Sequence, residues 1–163
     1  MKKCMRVLIV CMAAALSLSA LGQDKNEKIA ATPALEKELF EIELKWMKTE
    51  FGKKMDGPDS MGELWTDEFF DVLPDGTVVN MQEMKDLMGK TDRKPGTGAF
   101  PDHFKLREVF GNVAVATDHT IIKGVDAKGN IVVVKEMGAL RMFVKEKGKW
   151  RVAGAGLVPI VSQ

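Results

Sequence analysis

The sequence predicts an α+β fold in which helices come first and a hairpinned antiparallel sheet follows. Three observations predict it. Residues 34–53 carry apolar side chains at helical spacing; residues 103–161 form four long strand-like runs separated by tight turn words; only short elements lie between them.

The chain opens with MKKCMRVLIVCMAAALSLSALGQ, where Lys2, Lys3 and Arg6 precede an apolar run from Val7 to Leu21 that closes on Ala20-Leu21-Gly22. This predicts a secretory signal peptide over residues 1–22 and an exported protein, periplasmic or secreted. The run is shorter than the ~18 apolar residues a membrane span needs. Val10 precedes Cys11 and Lys3 precedes Cys4, so neither cysteine follows the small residue that lipid attachment requires.

Cleavage there removes both cysteines, so the exported chain is expected to hold no disulfide and to rest on packing alone. Three basic residues go with them, leaving 21 basic against 23 acidic side chains and a formal charge of −2 with neutral histidines. A near-neutral surface of mixed sign offers no field for nucleic acid or for an anionic membrane, and neither is expected as a partner. The remaining length suits one domain, expected over residues 34–160 behind a flexible polar leader at 23–33.

Thr32-Pro33 is a helix start, a capping residue followed by proline in the first turn. The helix it opens carries two apolar stripes: Leu35, Leu39, Ile42 and Trp46 on one side, and Phe40, Leu44, Met47 and Phe51 nearly opposite. Such a helix is covered on two sides, by a sheet and by a further helix or subunit. MDGPDS (55–60) breaks the chain and MGELW (61–65) gives a short helical turn. FFDVLPDGTVVN (69–80) reads as two strands around Asp75-Gly76, a hairpin signal. Asn80 and Glu83 form a capping-box start for MQEMKDLM, which Gly89 ends. KTDRKPGTGAFPD (90–102) reads as a loop, a plain connection or a lid. The strands HFKLREVF, VAVATDHTIIKGV, IVVVKEMGALRMFVK and WRVAGAGLVPIV then make a meander, with Gly138, Gly154 and Gly156 marking bends in a curved sheet.

The words MGELWTDEFFDVLPDGTVVN, FGNVAVAT and FVKEKGKWRVAGAG, in this order and spacing, resemble the nuclear transport factor 2-like superfamily in its SnoaL-like branch. The resemblance spans about residues 34–158. It implies a cone: a strongly curved antiparallel sheet wrapped around the long N-terminal helix with two shorter helices, a pocket at the wide end, and commonly a homodimer through the sheet. The branch holds isomerases, dehydratases, cyclases and members without demonstrated activity, so function has to come from the site.

Alternate residues of a strand share a face, which sorts the polar candidates. Glu108 shares a face with Phe104, Leu106 and Phe110, where a carboxylate needs a partner or a raised pKa; otherwise it sits at a wet sheet edge. Asp118 lies with Ala114, Ala116 and Thr120 on the small-residue face that leaves room for a helix and a ligand, which puts His119 outside; a single bulge would exchange the two. By strict alternation Arg141 joins Ala139, Phe143 and Lys145 on an outer face, leaving Leu140, Met142 and Val144 for the core. The resemblance implies the opposite: in the association domain of calcium/calmodulin-dependent kinase II an arginine nine residues before the hairpin tryptophan lines the pocket, and Arg141 stands nine before Trp150. Facing inward, it would pair with Glu108 or Asp118 or grip a carboxylate ligand.

Trp46, Trp65 and Met142 are the candidate apolar contacts of a ligand, and Asp118, Glu108 and Arg141 the candidate chemical groups. The chain has no tyrosine, so the tyrosine-containing oxyanion hole of the ketosteroid isomerases of this superfamily is absent. Gly154 and Gly156 stand where related members carry larger, often polar, side chains, which suggests extra pocket space. No metal-ligand spacing, phosphate loop or nucleophile elbow is found, and no cofactor is expected. The expected function is binding of a small organic molecule of unidentified structure. The alternatives are an isomerase or dehydratase-like lyase with a pocket carboxylate as general base, and a dimeric protein-interaction module.

Overall fold

The structure, a computed structural model, describes residues 28–51, 60–90, 94 and 96–160. The expected signal peptide (1–22), the first part of the leader, the last two residues of the expected helix (52–53), the break at 55–59 and residues 91–93 and 95 of the expected lid lie outside the described residues. The elements are α1 (Pro33–Phe51), α2 (Met61–Leu64), β1 (Trp65–Val72), β2 (Val78–Asn80), α3 (Met81–Lys90), β3 (Gly98–Phe110), β4 (Val113–Val125), β5 (Ile131–Glu146) and β6 (Lys149–Pro159).

Local chemistry explains the boundaries. Thr32 accepts from the Leu35 N–H through Oγ1 at 3.2 Å and from the Glu36 N–H through its carbonyl at 2.9 Å, which starts α1. The capping box of α3 is formed in full: Asn80 Oδ1 accepts from the Gln82 and Glu83 N–H groups, and Glu83 Oε2 accepts from the Asn80 N–H. Gly76 takes φ +86° in the β1–β2 hairpin, where a side chain would be strained. Within the segment expected as leader, Lys28 bridges to Phe110 and the Ile29 N–H donates to the Val109 carbonyl, extending the sheet edge.

The six strands form one sheet in the order β2-β1-β6-β5-β4-β3. β3 to β6 are the expected antiparallel meander, but β1 runs parallel to β6, so the sheet is mixed and not antiparallel throughout. Parallel neighbours need a long connection, and everything from β2 to β5 supplies it.

β3 begins at Gly98 rather than at His103, which takes the second half of the expected lid into the sheet. Pro101 is tolerated there because β3 is an edge strand and needs no N–H on its outer side. Register shifts between Asp102 and Lys105 and between Leu106 and Glu108 mark bulges, the first at His103 with φ +51°.

Leu39, Trp46 and Met47 of α1 are buried against Trp65, Phe69, Leu106, Val109, Phe143 and Val152 of the sheet. Trp65 and Phe69 stack at 4.0 Å between centroids, and Trp46 meets both edge-on. Phe40, Leu44, Leu35 and Ile42 are half-buried, with Phe40 against Phe104 of β3.

Strict alternation misplaced the core of β5. Ala139, Arg141 and Phe143 are buried and Leu140 is 52% exposed. In β5 the buried face mixes Ala139, Arg141 and Phe143, while the apolar Leu140 is turned outward.

Candidate functional site

Four elements bring their polar residues to one place beneath α1. β4 contributes Asp118 and Thr120, which follow Ala114 and Ala116 on its buried face. Arg141 of β5 pairs across the ladder with Ala116, so Asp118 is its diagonal neighbour. Asp71 follows Phe69 on the buried face of β1. Glu43 and Trp46 come from α1, four and seven residues after Leu39 on the same side of the helix.

Arg141 is fully buried and donates from Nε to Glu43 Oε1 at 2.8 Å. Asp118 Oδ2 lies 3.3 Å from the same nitrogen, near enough for charge attraction, but the single Nε hydrogen goes to Glu43. Asp118 Oδ1 accepts from the Thr120 hydroxyl at 2.6 Å, and Arg141 Nη2 reaches that hydroxyl at 3.5 Å. The guanidinium carbon stands 4.7 Å from the Trp46 ring centroid, a cation–π contact in a dry setting.

Three carboxyl groups therefore converge on one guanidinium. Burial pushes the Glu43 carboxyl up to about 7, against the pull of Arg141 and with reinforcement from the charges of Asp118 and Asp71. Burial likewise raises the Asp71 carboxyl above its ordinary range, opposed by Arg141. For Arg141 burial acts to lower the pKa, but Glu43 and Asp118 outweigh it and hold the guanidinium above its usual value. Among the described residues, Glu43 Oε2 and Asp71 Oδ1 are buried without a hydrogen-bond partner.

This group forms the polar end of a cavity of about 660 Å³. Trp46, Asp71, Thr120 and Arg141 line that end; Met47, Leu73, Met84, Met88, Ile122, Val134 and Leu157 form the walls; Lys94, Lys123 and Asp126 bring charge to its more exposed part. Met84 and Met88 lie on α3, the helix that the Asn80–Glu83 cap opens. Among the described residues no group of three or more His, Cys, Asp or Glu side chains is placed to hold a metal ion.

The expected site residues divide. Arg141 and Asp118 face inward and meet, and Trp46 lines the cavity. Trp65 is buried behind Trp46 and does not reach the cavity. Met142 points to the opposite face, where its Cε would lie 3.3 Å from a Cβ at Gly154. Glu108 is not near Arg141: the bulge after Leu106 turns Val109 inward, and Glu108 pairs with Lys28 at 2.6 Å on the sheet edge. The space at Gly154 is also not pocket space, because the Phe70 ring fills it from the outer side. His103 and His119 do approach, with parallel rings 6.4 Å apart, but outside the cavity, beside Asp102 and Glu136.

Sequence reasoning missed Glu43 and Asp71. The signal for Glu43 is its place in the run Leu39, Glu43, Met47 at i, i+4, i+8, a carboxylate inside an apolar stripe. Asp71 alternates with Phe69 in the same manner, and its burial needs only the period of two.

No family model matches the sequence, and no curated protein matches it. Solved structures do. An NTF2-like protein from Cytophaga hutchinsonii is 18% identical with a TM-score of 0.60, covering 75% of this chain and 95% of that one. The association domain of CaMKII from C. elegans is 12% identical with a TM-score of 0.66, covering 77% and 95%. An NTF2-like protein with a cystatin-like fold from Novosphingobium aromaticivorans is 14% identical with a TM-score of 0.66, covering 93% and 90%. The chain has the NTF2-like fold.

Proposed function

We propose that this NTF2-like chain binds a small organic molecule in the cavity that ends at Arg141. The observation that carries the reading is the cavity itself: about 660 Å³ of space, walled by Met, Leu, Ile and Val side chains and closed by Trp46, Asp71, Thr120 and Arg141. Apolar walls with a few convergent polar groups are the form of a small-molecule site. In this reading the sheet curves as a cone about α1, residues 34–160 act as one exported domain after loss of residues 1–22, and two copies associate through the outer sheet face. Exposed Leu140, Val158 and Ile160 on that face support the last point.

The experiment is calorimetric screening of polar-headed apolar molecules against the chain and against Ile122→Trp, whose indole occupies the cavity. One-to-one saturable binding by the parent, abolished in the filled variant, is expected. Equal binding by both, or no binding by either, overturns the reading.

A second reading, proton transfer of the isomerase or dehydratase type, is favoured by one observation: carboxyl groups with raised pKa lie beside a buried guanidinium. Asp71, exposed to the cavity, or Asp118 would take a proton from a carbon next to a carbonyl, and Arg141 would stabilise the enolate oxygen. Glu108 has no place in that chemistry. Deuterium exchange of an enolisable ketone, present in the parent and lost in Asp71→Asn, tests it.

A further inference from the structure

The polar end of the cavity is built around a cation, yet that cation is already answered. Glu43 takes the Arg141 Nε hydrogen, Asp118 lies 3.3 Å from the same atom, Trp46 covers one side of the guanidinium, and Asp71 adds a third carboxyl group to the same polar end. A ligand carboxylate arriving there would meet three acids for one base. The group left wanting is an acceptor: Asp71 is 97% buried, lines the cavity, and its Oδ1 has no hydrogen-bond partner among the described residues. A buried acceptor without a donor costs free energy that a ligand donor returns on binding.

Resting on the binding reading above, we infer that the cavity selects molecules that present a hydrogen-bond donor, a hydroxyl or an ammonium group, to Asp71 at the end of an apolar body, and rejects those that present a carboxylate there. The apolar body occupies the Met84, Met88, Ile122 and Leu157 walls. Lys94 and Lys123, in the more exposed part of the cavity, are placed to hold a negative group only at the opposite end of a ligand.

The test is isothermal titration of the chain at about pH 8, where carboxylates are ionised and a primary amine is largely charged, with adamantylmethylamine, adamantylmethanol and adamantanecarboxylate. These share one apolar body and differ in the head group. The amine and the alcohol are expected to bind at least about tenfold more tightly than the carboxylate. Asp71→Asn, which keeps the shape and removes the charge, is expected to weaken the amine by about tenfold and to strengthen the carboxylate, because a repelling charge is gone. A carboxylate that binds most tightly, or a variant that weakens all three alike, overturns the inference and leaves the binding reading in place. No heat from any of the three overturns both. If the variant does not fold, the ranking of the three compounds on the parent decides alone.

Discussion

Arg141 and Glu43 stand 98 positions apart in the chain and 2.8 Å apart in the structure, both out of contact with water. This pair ties the middle of β5 to the middle of α1. It also sets the electrostatics of the cavity, because the Arg141 charge opposes the burial that raises the Glu43 and Asp71 carboxyls.

Removing the cation should therefore cost more than removing its volume. Arg141→Met leaves Glu43, Asp118 and Asp71 facing one another in a dry site, and a loss of about 3 to 5 kcal/mol in urea unfolding is expected. The double variant Arg141→Met with Glu43→Gln should recover roughly 1 to 3 kcal/mol of it. Additive single-site losses would contradict the coupling.

The pH dependence of stability follows from Glu43. Its carboxyl titrates at about 7 when folded against 4.5 ordinarily, so the folded state binds more protons in that interval. Its contribution is complete below pH 4.5 and is lost as the pH rises through about 7; Asp71, also raised, acts in the same direction. Glu43→Gln should gain stability relative to the parent from pH 5 to pH 8. Parallel urea midpoints across that range would rule Glu43 out as the titrating group.

Asn80→Ala removes the acceptor for two N–H groups at the start of α3. A loss of about 1 kcal/mol is expected. Because α3 carries Met84 and Met88 of the cavity wall, ligand affinity measured by calorimetry should fall with it. Unchanged affinity with reduced stability would mean that the wall does not depend on the cap.

Gly154→Ala places a Cβ within 2.8 to 2.9 Å of the Phe70 ring, on the side of the sheet away from the cavity. Phe70 is 40% exposed and can swing outward, so destabilisation of about 1 kcal/mol is expected, with ligand binding unaffected. A change in ligand affinity would mean that Gly154 borders the cavity after all.

What the sequence determined by itself is local or repetitive. Thr32, the Asn80–Glu83 box and Asp75-Gly76 act through neighbours a few residues away, so their caps and turn can be read without the fold. The β3–β6 meander follows from strands joined by short turns, and the parity of β4 placed Asp118 inside and His119 outside. The hairpin's resemblance to the kinase association domain implies an inward Arg141 and alternation an outward one; Arg141 is buried. The tertiary structure decided the rest. One inserted residue after Leu106 turned Glu108 to the sheet edge, because the strand period is two and a bulge reverses every later side chain. β1 pairs in parallel with β6, which lies far along the chain, and Glu43 of α1 and Asp71 of β1 come to Arg141 of β5 through long-range packing. Which buried charges share a site is a matter of long-range packing, and no short-range period in the chain records it.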